Sequence, residues 1–142
     1  MAGQCEFATE VKRFEMRIEH IAIWVSDIEE IRSFYEHYFN AKAGEKYVNL
    51  KKNFTSYFLS FEQGARLELM HRPEISASVN QEEHLGLIHF AISVGSKEKV
   101  DLLTNELRKD GFKITGEPRT TGDGYYESLV LDPEGNQIEI TI

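Results

Sequence analysis

The stretch His20-Ile21-Ala22-Ile23-Trp24-Val25 decides the fold, because His89-Phe90-Ala91-Ile92-Ser93-Val94 repeats its pattern later in the chain. Each stretch is followed downstream by a glutamate between two aliphatic residues, Glu68 in the first copy and Glu139 in the second. The histidines lie 69 residues apart and the glutamates 71, so one unit carrying one His and one Glu occurs twice. Such a repeat is an architectural feature, and two His with two Glu form a donor set for a metal ion.

The strand period gives these four polar residues equivalent positions. Side chains alternate between the two faces of a β-strand, so His20 and His89 each lie opposite the aliphatic side chains of their strand. Glu68 and Glu139 also project away from their aliphatic neighbours. A carboxylate in an apolar strand is costly unless a charge compensates it, which favours a divalent cation. The alternative is a half-exposed sheet on which these residues face water.

The composition is that of one ordinary globular domain. The chain has 142 residues, of which 41% are hydrophobic and 11% aromatic, enough to build a core. A formal net charge of −8 without clusters of Lys and Arg argues against a nucleic-acid partner. The absence of an 18-residue apolar run or a signal-peptide pattern predicts no membrane partner. The single cysteine, Cys5, is compatible with a cytoplasmic location.

Each half of the chain has the pattern of a βαβββ module, which predicts an α+β fold of two modules with curved mixed sheets around a cup. In the first half, a helix begins after Ser26 and Asp27 and ends near Asn40. In the second half, a helix is capped by Ser96 and ends at Asp110-Gly111. The predicted strands outside the two quoted stretches span residues 45–50, 54–61, 65–70, 112–116, 125–131 and 137–142.

The module pattern also predicts the domain boundaries. Residues 1–15 do not match the repeat, and we interpret them as an N-terminal extension, flexible or derived from cloning. Residues 16–142 then form a single domain, with a first module at about 16–72, a linker at 73–84 and a second module at about 85–142. The short curved sheets leave open edges, which favours a homodimer.

Residues 16–142 resemble the vicinal oxygen chelate superfamily, and in particular the small bacterial glyoxalase I (lactoylglutathione lyase) proteins. The resemblance is carried by IEHIAIWVSDI, ARLELMH, GLIHFAISV and DPEGNQIEI. It implies one divalent metal ion held by His20, Glu68, His89 and Glu139, with two coordination positions open, which suits Ni²⁺, Co²⁺, Zn²⁺ or Mn²⁺. Glu68 is the most discriminating of the four residues, because the epimerase relatives usually carry Gln at this position.

The resemblance implies a lyase or isomerase that acts on a small molecule. The reaction would convert the hemithioacetal of methylglyoxal to a thioester through a metal-stabilised enediolate. Glu139 would be the catalytic base and Glu68 its partner. The alternatives are another metalloenzyme of the superfamily, an epimerase or an Fe²⁺ dioxygenase, and a small-molecule-binding protein similar to the bleomycin-resistance proteins.

Two positions depart from the pattern of the glutathione-using relatives. Trp24 stands where they tend to have Arg, and Arg72 stands where they tend to have Asn. Trp24, Arg66 and Arg72 are therefore candidate contacts to a different substrate, with an apolar wall from the indole and a carboxylate partner from either arginine. The alternatives are a packing role for Trp24 and simple solvation for the arginines.

Overall fold

The computed structural model describes residues 16–76 and 85–142; residues 1–15 and most of the predicted linker lie outside the described residues. The N-terminal extension and the linker therefore stay predictions. The described elements are, in chain order, β1 (His20–Trp24), α1 (Ile28–Phe39), β2 (Lys42–Ala43), β3 (Tyr47–Asn49), β4 (Phe54–Ser60), β5 (Arg66–His71), β6 (Phe90–Ser93), α2 (Lys97–Lys109), β7 (Ile114–Thr120), β8 (Tyr126–Leu131) and β9 (Gln137–Thr141).

Each half of the chain forms its own mixed sheet. The first sheet has the order β1-β5-β4-β2, with β3 also paired to β4, and the second has the order β6-β9-β8-β7. The first strand of each half pairs in parallel with the last strand of that half, and the other pairs are antiparallel. The two sheets are thus equivalent in topology, which confirms the predicted α+β fold of two βαβββ modules.

The strand boundaries differ from the predicted ones in three places. The strand predicted at 45–50 is shortened to β3, and the additional short strand β2 precedes it; β2 and β3 pair with the two ends of β4. The strand predicted at 112–116 runs instead from Ile114 to Thr120 and contains Pro118. It tolerates the proline because β7 is an edge strand whose pairing with β8 is irregular between Gly116 and Arg119. β6 begins at Phe90, so His89 stands just before its strand.

The two helices begin and end at the predicted residues. The Asp27 side chain accepts a hydrogen bond from the Glu30 backbone N–H, and Ser96 does the same for Lys99. Asn40 ends α1 in the left-handed region at φ 53°, and Gly111 follows α2 at φ 93°. Each helix packs on the aliphatic face of its own sheet, so the opposite face, which carries the histidines and glutamates, is left uncovered by helix.

The aromatic stripe of α1 joins the two modules into one core. The Phe34 ring lies 5.0 Å from that of Phe112, and the Tyr35 ring lies 6.1 Å from that of Phe90. The buried Tyr35 hydroxyl donates to Asp132 Oδ2 at 2.8 Å. Burial and the neighbouring Asp132 carboxylate raise the pKa of Tyr35 well above its usual value, so the hydroxyl stays a donor. Among residues 16–76 and 85–142, the modules therefore contact each other through α1 and not through their uncovered sheet faces.

In the described residues, the first strand of each module forms one edge of its sheet. β1 pairs with β5 alone and β6 with β9 alone. Apolar side chains precede both open strands and are well exposed: Met16 and Ile18 before β1, and Leu87 and Ile88 before β6. Neither described helix is long and apolar enough to cross a membrane.

Candidate metal and substrate site

The first half of the predicted metal site lies on the uncovered face of the first sheet. His20 on β1 and Glu68 on β5 share this face, because Ala22, two residues after His20, is the strand partner of Glu68. Phe58 pairs with Glu68 from the other side. Its ring meets the His20 ring edge to face at 5.3 Å, so His20 is supported by an aromatic neighbour.

His20 and Arg66 share a carboxylate partner. The His20 Nδ1 lies 2.5 Å from Glu19 Oε2, and the Arg66 guanidinium pairs with the other oxygen of the same carboxylate. The hydrogen bond from His20, and then that from Arg66, hold the pKa of Glu19 below its usual value. Arg66 also lies over the Phe58 ring at 4.0 Å. The positive charge of Arg66 is thus already engaged within the chain.

The second half of the predicted site is tighter. His89 Nε2 lies 2.9 Å from Glu139 Oε2, and the two side chains are 30% and 16% exposed. Glu139 is on the uncovered face of β9, next to Ala91 of β6. The Nδ1 atom of His89 is buried and has no hydrogen-bond partner among the described residues. A buried ring nitrogen without a partner costs free energy, and a ligand or water on Nδ1 would remove that cost.

Glu127 is a further carboxyl group at this half of the site that the sequence interpretation missed. Leu129 of β8 is the strand partner of Glu139. Glu127 is two residues before Leu129, so it lies on the same face of the sheet as Glu139. The hydrogen bond with Glu139, then burial, then repulsion by the Glu139 charge raise the pKa of Glu127 to about 7. The strand alternation in Tyr126–Leu131 could have indicated it, because Glu127 falls on the same face as Leu129 and Leu131 and not with the buried Ser128 and Val130.

These donors fit a divalent ion in their chemistry, but one described chain does not gather all four. Two ligand atoms in adjacent positions around an ion at about 2.1 Å lie about 3 Å apart, which is the separation of the His89 and Glu139 atoms. Among residues 16–76 and 85–142, however, no three His, Cys, Asp or Glu side chains come together as a metal-binding cluster. The four predicted ligands are therefore divided into two pairs on two sheets, His20 with Glu68 and His89 with Glu139, which are called the predicted half-sites.

A cavity of about 280 Å³ lies on the first sheet, beyond the His20 half-site. Its lining includes two of the three residues suggested as substrate contacts, Trp24 and Arg72, but not Arg66. It also includes residues that the sequence interpretation missed: Tyr47, Asn49, Lys52, Phe54 and Met70. Because Trp24 pairs with Met70 and lies on the same face as His20, the cavity continues the surface that carries the half-site.

Comparison with known proteins agrees with this architecture. Residues 17–140 match the family model of the glyoxalase/bleomycin resistance protein/dioxygenase superfamily. The chain belongs to this superfamily. The resemblance inferred from the sequence is thereby confirmed, and proteins of the superfamily commonly bind a divalent metal ion.

Individual relatives in the superfamily are distant. An uncharacterised protein of Bacillus subtilis, YqjT, is 26% identical over 87% of this chain and 96% of its own. Among solved structures, a glyoxalase family protein from Enterococcus faecalis has a TM-score of 0.74 at 24% identity, over 91% of this chain and 99% of its own. The trypanothione-dependent glyoxalase I of Leishmania major has a TM-score of 0.71 at 25% identity, over 89% of this chain and 86% of its own. A glyoxalase I mutant from Zea mays has a TM-score of 0.70 at 24% identity, over 88% of this chain and 44% of its own.

Proposed function

We propose that this superfamily member is a divalent-metal-dependent lyase of the glyoxalase I type, which isomerises the hemithioacetal of a 2-oxoaldehyde such as methylglyoxal to a thioester. The observation that carries the proposal is the pair of equivalent half-sites, His20 with Glu68 and His89 with Glu139, on the uncovered faces of two equivalent sheets. The glyoxalase I proteins among the structural relatives support the same reaction class. A cytoplasmic location is part of the proposal.

A second copy of the chain would complete the site. The modules of one chain pack through α1, which leaves the open edges of β1 and β6 and their apolar flanking residues available. Exposed apolar side chains beside an unpaired strand edge favour pairing with another chain. We propose a homodimer in which β1 of one chain lies next to β6 of the other, so that each site takes His20 and Glu68 from one chain and His89 and Glu139 from its partner.

These four residues would hold one divalent ion, with Ni²⁺, Zn²⁺, Co²⁺ and Mn²⁺ as the candidates. The ion would supply stabilisation of negative charge on the substrate oxygens as a proton leaves the adjacent carbon. Two imidazoles and two carboxylates leave room for substrate in a six-coordinate arrangement. Aliphatic residues on either side of each glutamate pack into the core and fix the two strands that present the carboxylates.

Glu139 is the proposed base. It takes the proton from the thiol-bearing carbon of the hemithioacetal and returns it to the neighbouring carbon, so that no net proton is consumed. Its side chain is only 16% exposed, which protects the proton from exchange with water during the transfer. The Glu127 carboxyl donates a hydrogen bond to Glu139 and thereby orients it. Glu68 is the partner carboxylate in the other half-site.

Metal binding tests the ligand set directly. Ni²⁺, Co²⁺ and Zn²⁺ are titrated calorimetrically into chelator-stripped wild type, Glu68→Ala and His89→Ala, with Glu62→Ala, in the exposed turn before β5, as the control. We expect tight binding in the wild type and the control and its loss in both ligand variants. Each loaded sample is then assayed for thioester formation from methylglyoxal with glutathione and with other thiols.

The other functions give different results in the same experiment. Oxygen uptake that depends on Fe²⁺ would replace the lyase with a dioxygenase, and proton exchange without thioester would replace it with an epimerase. If the wild type binds none of the metals, the four-ligand site is wrong, and a small-molecule-binding protein similar to the bleomycin-resistance proteins takes its place.

Subunit complementation tests the shared site. Glu68→Ala and Glu139→Gln are each expected to be inactive alone. Mixed after unfolding and refolding together, they would form heterodimers in which one of the two sites has all four ligands. If half of the dimers are mixed, about a quarter of wild-type activity returns. Mixing would restore nothing if the site closed within one chain.

A further inference from the structure

The cavity on the first sheet lies at a defined distance along the strands from the His20 half-site. Trp24 is four residues after His20 on β1, and Arg72 is four residues after Glu68, just past the end of β5. At about 3.3 Å per residue, either interval corresponds to about 13 Å. A molecule about 13 Å long with its reacting carbons at Glu68 would therefore extend its far end into the cavity.

One side of this cavity is aromatic. The rings of Trp24 and Phe54 meet nearly at right angles with centroids 6.3 Å apart, and the rings of Tyr47 and Phe54 lie 6.0 Å apart. Trp24 is 42% and Tyr47 54% exposed, although large aromatic side chains gain most when they are buried. Three neighbouring rings with free surface form a suitable wall for a planar apolar group.

The other side of the cavity is cationic. Lys52 and Arg72 line it, whereas no carboxylate does. Arg72 pairs with Glu74, but its Nε atom is buried and has no hydrogen-bond partner among the described residues. Lys52 forms no ion pair within the described part of the chain. With Arg72 balanced by Glu74, the surroundings of the cavity carry about one uncompensated positive charge in a protein whose net charge is −8.

We propose that this cavity binds an aryl carboxylate, with the ring against Trp24, Tyr47 and Phe54 and the carboxylate at Lys52 and at the guanidinium of Arg72, whose side chain is 41% exposed. One net positive charge matches a monoanion, whereas a phosphate dianion would remain in excess. Glutathione is a poorer match, because it has no aromatic ring to place against Trp24, Tyr47 and Phe54. That the cavity serves the same substrate as the metal half-sites rests on the proposed function; the binding itself does not.

Trp24 allows a direct measurement, because it is the only tryptophan in the chain. The protein as purified is titrated with 3-phenylpropionate while tryptophan fluorescence is recorded, both with and without added Ni²⁺. We expect a saturable change in both conditions, because the cavity lining contains none of the four proposed ligands. Failure of metal binding or of lyase activity would overturn the proposed function and leave this result intact.

Four further probes separate the parts of the proposal. We expect three of them to bind at least about tenfold more weakly than 3-phenylpropionate: the neutral 3-phenylpropionamide, the aliphatic butyrate and glutathione. We expect phenyl phosphate to bind no more tightly than 3-phenylpropionate. Equal binding of the amide would overturn the role of the charge, and equal binding of butyrate that of the rings. Tighter binding of phenyl phosphate or glutathione, or no saturable change with 3-phenylpropionate, would overturn the ligand class.

Variants assign the carboxylate contact. Arg72→Gln and Lys52→Gln should each weaken 3-phenylpropionate binding about tenfold, while binding of the neutral amide stays unchanged. Lys51→Gln is the matched control, because Lys51 is an exposed neighbour of Lys52 that does not line the cavity. Lys52 is exposed, so its variant is expected to fold if Arg72→Gln does not. Unchanged binding in folded Lys52→Gln would overturn the cationic contact.

Discussion

The two modules share a topology and differ in what their uncovered sheet faces contain. In the first module, His20 is hydrogen-bonded to Glu19, and the His20 side chain is 42% exposed. A cavity with aromatic and cationic lining lies farther along the same sheet. In the second module, His89 and Glu139 contact each other directly, and Glu127 adds a second carboxyl group. On the proposed function, a duplicated scaffold has therefore diverged into one half for substrate recognition and one half for proton transfer.

The largest expected effect is the loss of kcat when the proposed base in the second module is removed. Glu139→Gln keeps the shape of the side chain but cannot accept a proton, so kcat should fall by about 10²- to 10⁴-fold with most of the metal retained. Glu68→Gln is the matched change in the first module and should lower kcat less. Both are measured by steady-state kinetics and metal titration. A larger loss of kcat in Glu68→Gln would reverse the assigned roles.

A charge placed beside the open edge of β6 should weaken dimerisation. A lysine at Ile88, which is 65% exposed next to β6, would place an ammonium group in the proposed contact with a second copy. Ile88→Lys should weaken dimerisation by at least about tenfold, measured as the mass from light scattering over a dilution series. Leu102→Lys is the control, because Leu102 is 68% exposed on α2 of the same module. A wild type of monomer mass at high concentration would contradict the dimer.

A substitution at the contact between the modules should have a smaller effect, and this effect should be on stability alone. Tyr35→Phe removes the donor to Asp132, which is only 4% exposed, and should cost about 1–3 kcal/mol of unfolding free energy. Tyr38→Phe is the matched change, because its hydroxyl donates to Asp110 at an exposed site, and it should cost less than about 1 kcal/mol. Urea unfolding measures both changes, and equal costs would show that the buried contact does not hold the modules together.

The smallest effect is expected from Glu29 in the first module. Its hydrogen bond from Lys46, followed by that from Tyr57, holds the pKa of Glu29 below its usual value of 4.5. A lowered pKa in the folded state contributes stability above pH 4.5, and this contribution disappears as the pH falls through the folded-state pKa. Glu29→Gln should therefore lower Tm slightly at pH 7 and by less at pH 3. An equal difference at both pH values would contradict this linkage.

The repeat predicted the fold because strand and helix periods are local properties. His20, Glu68, His89 and Glu139 were assigned to the uncovered faces from alternation alone. The strand registers agree for His20, Glu68 and Glu139, and His89, which precedes β6, contacts Glu139. The helix ends at Asn40 and Gly111 were also predicted, since capping depends on a few neighbouring residues. The additional strand β2 was not predicted, because it depends on how the last residues of β4 pair with a segment far away in the chain.

The candidate site could be predicted only in part. Trp24 and Arg72 stood out because they depart from the pattern of related proteins, whereas Tyr47, Lys52 and Phe54 belong to a hairpin without any distinguishing motif. Arg66 was suggested as a substrate contact, and its pairing with Glu19 and stacking on Phe58 could not be read from the sequence. Whether it also meets substrate stays a prediction.

The sequence by itself determined the duplicated module, the faces of the four polar residues and the superfamily, because these depend on periodicity and on local motifs. Only the tertiary structure decided that the modules of one chain pack through α1, which leaves His20 with Glu68 and His89 with Glu139 as two separate pairs. It also decided which residues line the cavity beside Trp24. The physical reason is that such contacts join residues far apart in the chain, and their geometry depends on how whole elements pack.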